Sequence, residues 1–386
     1  MPSRPLHAVL LPPGPQLFEA VAAAIDGGPA VLPLDPAAPA AVRDAQLGLL
    51  RPHALLDAHG VHELPGAATL DDDVAVVIAT SGSSGTPKGV QLSASALLHS
   101  AAATLSRLAA LPGQRWLCCL PTHHIAGIQV LVRSLVAVST PDIRPGFDLA
   151  DLAGSSADFV SLVPTMLHRA LEAGVDLTGF RAVLVGGAAA SPDLLARAAG
   201  TGVRVVTTYG MSETAGGAVY DGVPLSGVRV AVEAGGRIRV GGPVVAGGYR
   251  LQPDSTRLAF VDGWHITQDA GRWDAEGRLQ VLGRLDEIVV SGGVNVSLPQ
   301  VARALSAHPS VAEAAAYARP DPEWGQSVVA VVVPHDQAPS LGELRAFVAD
   351  LAGAAAAPRD LVVVAALPTL PGGKLDRAAL TALGRT

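Results

Sequence analysis

The chain has 386 residues, enough for two or three domains, with 49% hydrophobic residues and a formal net charge of −7 at pH 7. That charge leaves no basic footprint, so nucleic acid is not an expected partner. Prolines at positions 2, 5, 12, 13 and 15 argue against a signal peptide, and no apolar run reaches membrane-spanning length. Adjacent Cys118 and Cys119 lack metal-ligand spacing and read as small buried hydrophobes of a reducing compartment, so a cytoplasmic protein with no membrane insertion is expected.

In chain order, residues 17–26 read as an amphipathic helix stopped by Gly27-Gly28, and 30–34 as a short strand. Residues 40–50 are helical, 54–56 are a strand candidate, and Asp71-Asp72-Asp73 is a solvated loop. Residues 74–79 are rich in β-branched side chains and read as a buried strand. Ser93 suits the N-cap of a helix to about Ala109. A strand at 116–120 delivers Pro121-Thr122-His123-His124, and an apolar helix over 125–138 follows with one charge, Arg133. Strands at 159–163, 183–185 and 203–207 alternate with helices that start at Pro164 and Ser191-Pro192. This order predicts an α/β domain with mostly parallel sheets flanked by helices. From Val228 to Gly283 the texture changes to short strands, a small β subdomain with a hairpin around Gly235-Gly236. Residues 284–386 read as a compact α+β domain: a helix at 298–306, strands at 311–317 and 327–333, a helix at 341–351, a strand at 361–365, and a last segment at 375–383. The expected division is therefore 1–283 and 284–386.

The strand at 74–79 runs into Thr80-Ser81-Gly82-Ser83-Ser84-Gly85-Thr86-Pro87-Lys88. Small residues let backbone N–H groups approach a ligand, the hydroxyls donate and Lys88 adds a point charge, which is the chemistry of a polyphosphate cradle. A flexible Gly/Ser surface loop is the ordinary alternative. The spacing is not the Walker pattern, which disfavours a kinase or GTPase of that type. The 27 basic residues comprise 25 arginines and only two lysines, Lys88 and Lys374. Both lysines sit beside glycines in short loop signatures, and a guanidinium does not replace an ammonium in a tight site. The loop, His124, Gly186-Gly187 and the 209–214 segment all fall at strand C-terminal ends, where such sheets bind ligands.

TSGSSGTPKGV, YGMSET, GWHITQDAG, GRLDEIVVSGG and PTLPGGK occur in that order. The chain resembles, over nearly its whole length, the adenylate-forming superfamily of acyl- and aryl-CoA synthetases, luciferases and peptide-synthetase adenylation domains. It looks shorter at its N-terminus than most members. YGMSETAGGAVYDGVPLSGVRV and PTHHIAGIQVLVRS are similar to the compact actinobacterial o-succinylbenzoate–CoA ligases of menaquinone synthesis.

The resemblance implies a two-step, ATP-dependent ligase. A carboxylate attacks the α-phosphorus of ATP, releasing pyrophosphate, and a thiol, expected to be coenzyme A, then displaces AMP. It places the β- and γ-phosphates on Thr80 to Lys88, Mg²⁺ on Glu213, the α-phosphate at Thr214 and the adenine against Tyr209. A strand-end tyrosine packed in the core is the plain alternative for Tyr209. The resemblance places the ribose at Asp269 with Arg284 assisting. Gln268 stands where the family has glycine, so the geometry of that loop is expected to differ. Lys374 would bridge the acid and the α-phosphate. A mobile C-terminal domain would turn about Asp286, with Gly292 and Gly293 along the pantetheine path. His124, Gly186, Gly187, Ala188 and Ser212 would border the acid. Arg133 is the candidate partner for a second carboxylate, against the alternative of an arginine snorkelling from a helix edge. Other expectations left open are another aryl- or fatty acyl-CoA ligase, an adenylation enzyme loading a carrier protein, a non-catalytic nucleotide-binding relative and a homodimer. No carrier domain follows before Thr386, which speaks against a fused peptide-synthetase module.

Overall fold

The computed structural model describes residues 4–80, 87–369 and 375–383. Its contacts divide the chain into two units, one of residues 1–231, 239–267 and 274–279, the other of residues 232–238, 268–273 and 280–386.

The first unit begins with a sheet of β1 (Leu6–Val9), β2 (Ala30–Pro33), β3 (Ala54–Asp57), β4 (Gly60–Glu63), β5 (Val74–Thr80) and β6 (Lys88–Ser93). β1, β2, β3 and β5 run parallel, and β4 and β6 pair antiparallel with β3 and β5. Ala75, Val76, Val77 and Ile78 are fully buried, as expected for a parallel strand covered on both faces. Helices α1 (Pro15–Ile25) and α2 (Ala40–Leu50) belong to this layer.

α3 (Ala94–Leu108) starts at Ser93, whose Oγ accepts from Ala96 N at 3.1 Å. A second sheet follows: β7 (Trp116–Cys118), β8 (Asp142–Ile143), β9 (Phe159–Leu162), β10 (Ala182–Val185), β11 (Val205–Met211), β12 (Gly216–Tyr220) and β13 (Val223–Pro224). Its spatial order is β13-β12-β11-β10-β9-β7-β8, parallel from β8 to β11 and antiparallel beyond. α4 (Ile125–Val136) and α3 lie between the sheets: α3 touches β5, β6 and β12, while α4 touches β7, β12 and α1. α5 (Leu149–Ala153), α6 (Pro164–Glu172) and α7 (Pro192–Gly200) cover the other face, closing a core that includes Leu162, Leu167, Val183 and Leu194. Burial pushes the Cys118 thiol up to about 12 and the Cys119 thiol to about 11, so both behave as inert hydrophobes.

The chain then forms β14 (Arg229–Val232) and β15 (Arg237–Gly241), and returns to the first sheet as β16 (Gly248–Tyr249) against β6. α8 (Pro253–Ala259), β17 (Phe260–Val261), β18 (Trp264–Trp273) and β19 (Leu279–Arg284) follow, the short-strand texture expected for this stretch. In the second unit, β20 (Ile288–Ser291), β21 (Val294–Ser297), β22 (Val311–Asp321), β23 (Gly325–Pro334) and β24 (Asp360–Val363) form one sheet. Period-2 alternation sends Val328, Ala330 and Val332 to a core with α9 (Leu298–Ser306) and α10 (Leu341–Ala352). Val329 and Val331 face the other side, with Leu380 of α11 (Arg377–Ala382).

Arg250, directly after β16, ties the first sheet to the segments around it. It is 2% exposed and donates to Leu50 O (2.5 Å), Thr69 O (2.9 Å), Arg51 O (3.1 Å) and Ala68 O (2.7 Å). These carbonyls include the C-terminal end of α2, where such groups lack helical partners. Bonds from a charged donor are the strong ones, so Arg250→Met should cost about 3 kcal/mol of unfolding free energy. The expected reading is a lower urea midpoint at unchanged slope. A midpoint equal to that of the parent protein would contradict this role.

Candidate active site

β5 ends at Thr80 and β6 begins at Lys88, the two residues facing each other across an antiparallel pair. Thr80 Oγ1 donates to Lys88 O at 3.4 Å. The strand before the glycine-serine segment is therefore followed by an antiparallel strand, not by the helix that follows a Walker loop. Ser81, Gly82, Ser83, Ser84, Gly85, Thr86 and Lys374 lie outside the described residues.

β11 runs longer than the sequence suggests and carries Tyr209 within it, opposite Val219 and beside a bulge at Tyr209/Gly210. Bulges re-aim side chains at strand ends. A short 3-10 turn over Ser212–Thr214 follows. Thr214 is fully buried, and its hydroxyl accepts from Met211 N (3.0 Å) and lies 2.8 Å from Gly216 O as donor. The hydroxyl holds the turn that presents Ser212 and Glu213.

Glu213 meets two residues that sequence reasoning did not bring together. Tyr249 Oη donates to Glu213 Oε1 at 2.9 Å, and the Lys88 ammonium lies 4.4 Å from the centre of the Tyr249 ring. Burial, and then the neighbouring Glu213 carboxylate, push the Tyr249 hydroxyl well above the ordinary tyrosine range. Backbone bonds fix the same segment: Ala246 N donates to Glu213 O (2.9 Å), Gly247 N to Gln91 O (3.0 Å) and Arg250 N to Gly89 O (2.8 Å). The site's cation, its carboxylate and the tyrosine between them thus sit on three separate elements joined by one stretch of chain. The cue in the sequence was slight, a Gly-Gly-Tyr-Arg run in a chain with four tyrosines.

The C-terminal ends of β7, β10 and β11 supply further expected residues. His124 is exposed at the N-cap position of α4, its ring 4.4 Å from that of His123. Burial lowers the pKa of His123, opposed by Asp35, whose carboxylate is 3.9 Å away. After β10, Gly187 has φ +79° and is exposed with Ala188. Gly186 packs so closely on β11 that an added Cβ would stand 2.1 Å from Thr208 Oγ1.

Arg133 sits elsewhere than the sequence reading placed it. Its side chain is buried, with the guanidinium 4.6 Å from the Trp116 ring centre and Nη1 donating to Ser161 Oγ at 3.1 Å. It is an interior cation between α4 and the second sheet, neither snorkelling nor on an open wall. Burial lowers its pKa.

The second unit holds the other expected residues. Asp269 lies within β18, and Gln268 is an ordinary strand residue without positive φ, so no left-handed turn is needed there. Arg284 Nε lies 3.4 Å from Asp286 Oδ1, an exposed pair worth little to stability. Gly292 (φ +59°) and Gly293 (φ +79°) form the two-residue turn between β20 and β21, a conformation that favours glycine at both positions. A Cβ on Gly292 would also stand 2.6 Å from the Trp324 ring.

Among the described residues no group of three or more His, Cys, Asp and Glu side chains could hold a metal, and no helix is long and apolar enough to cross a membrane. Magnesium does not require such a cage, since it is commonly held by one or two carboxylates with substrate phosphates and water. Glu213, an oxygen donor held in place by Tyr249, fits that role.

The close packing of Gly186 gives a direct test. Gly186→Ala should lower stability by about 1–3 kcal/mol through overpacking, and Thr208→Ala in the same chain should recover most of the loss. Additive losses in the double variant, read by thermal unfolding, would contradict the contact.

The family model described as AMP-binding enzyme matches residues 57–250, and that of the AMP-binding enzyme C-terminal domain matches residues 300–374. A Mycobacterium tuberculosis protein named "Probable 2-succinylbenzoate--CoA ligase" is 46% identical over 327 residues, 81% of this chain and 85% of its own. A 2-succinylbenzoate–CoA ligase of Listeria monocytogenes is 31% identical over 321 residues, 78% of this chain and 68% of its own. The structure of o-succinylbenzoate CoA synthetase (MenE) from Bacillus subtilis with the acyl-adenylate intermediate OSB-AMP superposes with a TM-score of 0.85 at 28% identity, covering 97% of this chain and 88% of that one. The same enzyme with ATP and magnesium ion gives 0.82 at 27% identity, covering 98% and 89%. The chain belongs to the family of AMP-binding enzymes.

Proposed function

We propose that the protein is an ATP-dependent 2-succinylbenzoate–CoA ligase of menaquinone synthesis that works through an acyl-adenylate. The observation that carries this reading is the Lys88–Tyr249–Glu213 arrangement at the strand ends of a chain 46% identical to a relative of that name. The buried, reduced cysteines suit a cytoplasmic location.

In the first half-reaction the acid's carboxylate oxygen bonds to the α-phosphorus of ATP and the bond to the pyrophosphate oxygen breaks. Two anions must meet, so the residues present are chiefly charge neutralisers and positioners. Lys88 and the segment from Thr80 take the β- and γ-phosphates. Glu213 would hold Mg²⁺, which supplies charge neutralisation at the phosphates when bound. Thr214, whose hydroxyl also keeps the turn in register, lies at the α-phosphate, Tyr209 takes the adenine face, and Asp269 with Arg284 takes the ribose. His124, Gly186, Gly187, Ala188 and Ser212 border the acid, with the missing side chains leaving room for a flat ring. Lys374 bridges the acid and the α-phosphate. In the second half-reaction the thiol sulfur of coenzyme A bonds to the acyl carbon and AMP leaves. Gly292 and Gly293 line the pantetheine path, and Asp286 is the hinge about which residues 284–386 turn. Its exposed side chain lies in a short turn between β19 and β20.

Thioester formation from 2-succinylbenzoate, benzoate and a medium-chain fatty acid, each with ATP, Mg²⁺ and coenzyme A, tests the assignment. Strong preference for 2-succinylbenzoate is expected, and turnover of the other acids alone would discard the pathway. Lys374→Ala should abolish adenylation yet spare thioester formation from supplied acyl-adenylate; equal loss of both would remove its role. Asp286→Pro should impair thioester formation more than adenylation, since proline locks φ, and parallel loss would refute the hinge. Arg133→Met should leave KM for 2-succinylbenzoate unchanged, since the guanidinium is engaged in the interior by Trp116 and Ser161. A marked rise in KM would return Arg133 to the acid site.

A further inference from the structure

Lys88 and Glu213 carry opposite charges and flank the same tyrosine, yet no ion pair joins them among the described residues. Tyr249 engages both separately, with the ammonium over its ring face at 4.4 Å and the carboxylate on its hydroxyl at 2.9 Å. An ionised carboxylate only accepts, so the hydroxyl is the donor. A tyrosine donating to an anion carries more electron density in its ring, which strengthens its hold on a cation over the face. Tyr249 is itself fixed. It is 6% exposed, its ring meets Phe260 edge-on at 5.2 Å, and its backbone N–H donates to Thr256 Oγ1 at 2.9 Å.

We propose that Tyr249 is a positioning residue for the adenylation step: its hydroxyl orients Glu213 toward the metal position, and its ring face holds Lys88 apart from that carboxylate before nucleotide arrives. The inference rests on the ligase reading for the roles of Lys88 and Glu213, and it adds a residue and a function to them. A direct Lys88–Glu213 pair would be a stable state of the empty site that MgATP would have to break. With Tyr249 engaging each charge separately, neither has to leave an ion pair to take phosphate or metal. The geometry assigns the hydroxyl to the carboxylate and the ring face to the ammonium, so the two functions separate by substitution.

The test is equilibrium binding of ATP by titration calorimetry across a range of Mg²⁺ concentrations, with no acid present. Tyr249→Phe keeps the ring and removes the donor. It should raise the Mg²⁺ concentration needed for half-maximal ATP binding about tenfold, the usual scale for losing a group that orients a metal-binding carboxylate. ATP affinity at saturating Mg²⁺ should stay near that of the parent. Tyr249→Leu removes both contacts and should also weaken ATP binding at saturating Mg²⁺, about threefold or more. In a Glu213→Gln background, Tyr249→Phe should add nothing to the Mg²⁺ dependence. An unchanged Mg²⁺ midpoint in Tyr249→Phe would overturn the proposal. So would an equal loss of affinity at every Mg²⁺ concentration with a lowered Tm, which is the mark of packing alone. The assay contains no acid, so a protein that binds MgATP normally but turns over a different acid would fail the 2-succinylbenzoate reading and leave this inference standing.

Discussion

The segment from Ala246 to Arg250 is the constraint on which the site of the first unit depends. Side chains alternate along a strand, so neighbours Tyr249 and Arg250 face opposite ways. Tyr249 meets Lys88 and Glu213, while Arg250 meets four backbone carbonyls around α2. The backbone between them bonds to the β6 strand and to the Glu213 carbonyl. One short stretch thus fixes the β6 strand that carries Lys88, the turn of the carboxylate and the layer beneath them. Preorganisation of this kind is where electrostatic catalysis draws its strength, because charges already in place need not reorganise as the reaction proceeds.

The parallel order of the two sheets was legible in the sequence because each buried strand is a short, apolar, β-branched run between turn residues. Ser93 and Ser191 were legible as caps because their hydroxyls satisfy helix N–H groups whatever packs around them. β6 was not seen. Its residues, Lys88–Ser93, follow a glycine-serine run and look like loop until they pair with β5. β16 was missed for a similar reason, since two residues carry no periodicity and the pairing partner is more than 150 positions away.

The candidate site was legible where a residue's chemistry is local and illegible where it depends on distant partners. Glu213 and Lys88 stood out by motif, but the tyrosine between them is set by tertiary folding. Arg133 looked like an exposed or ligand-facing charge in an apolar helix. Trp116 and Ser161, from two neighbouring strands, accommodate it inside. The bonds by which Thr214 holds its turn could not be read from the motif. Gln268 looked like a departure in a tight loop, yet an extended strand tolerates any side chain. In the second unit, Gly292 and Gly293 were expected for access to a narrow path, and the turn they form already favours glycine at both positions.

The central claim is that the arrangement joins an acid to AMP before any thiol takes part. Exchange of labelled pyrophosphate into ATP, measured with Mg²⁺ and 2-succinylbenzoate and without coenzyme A, tests that order directly. Acid-dependent exchange is the predicted result, since formation of the adenylate is reversible. Exchange that requires coenzyme A, or that never appears while thioester still forms, would contradict the account.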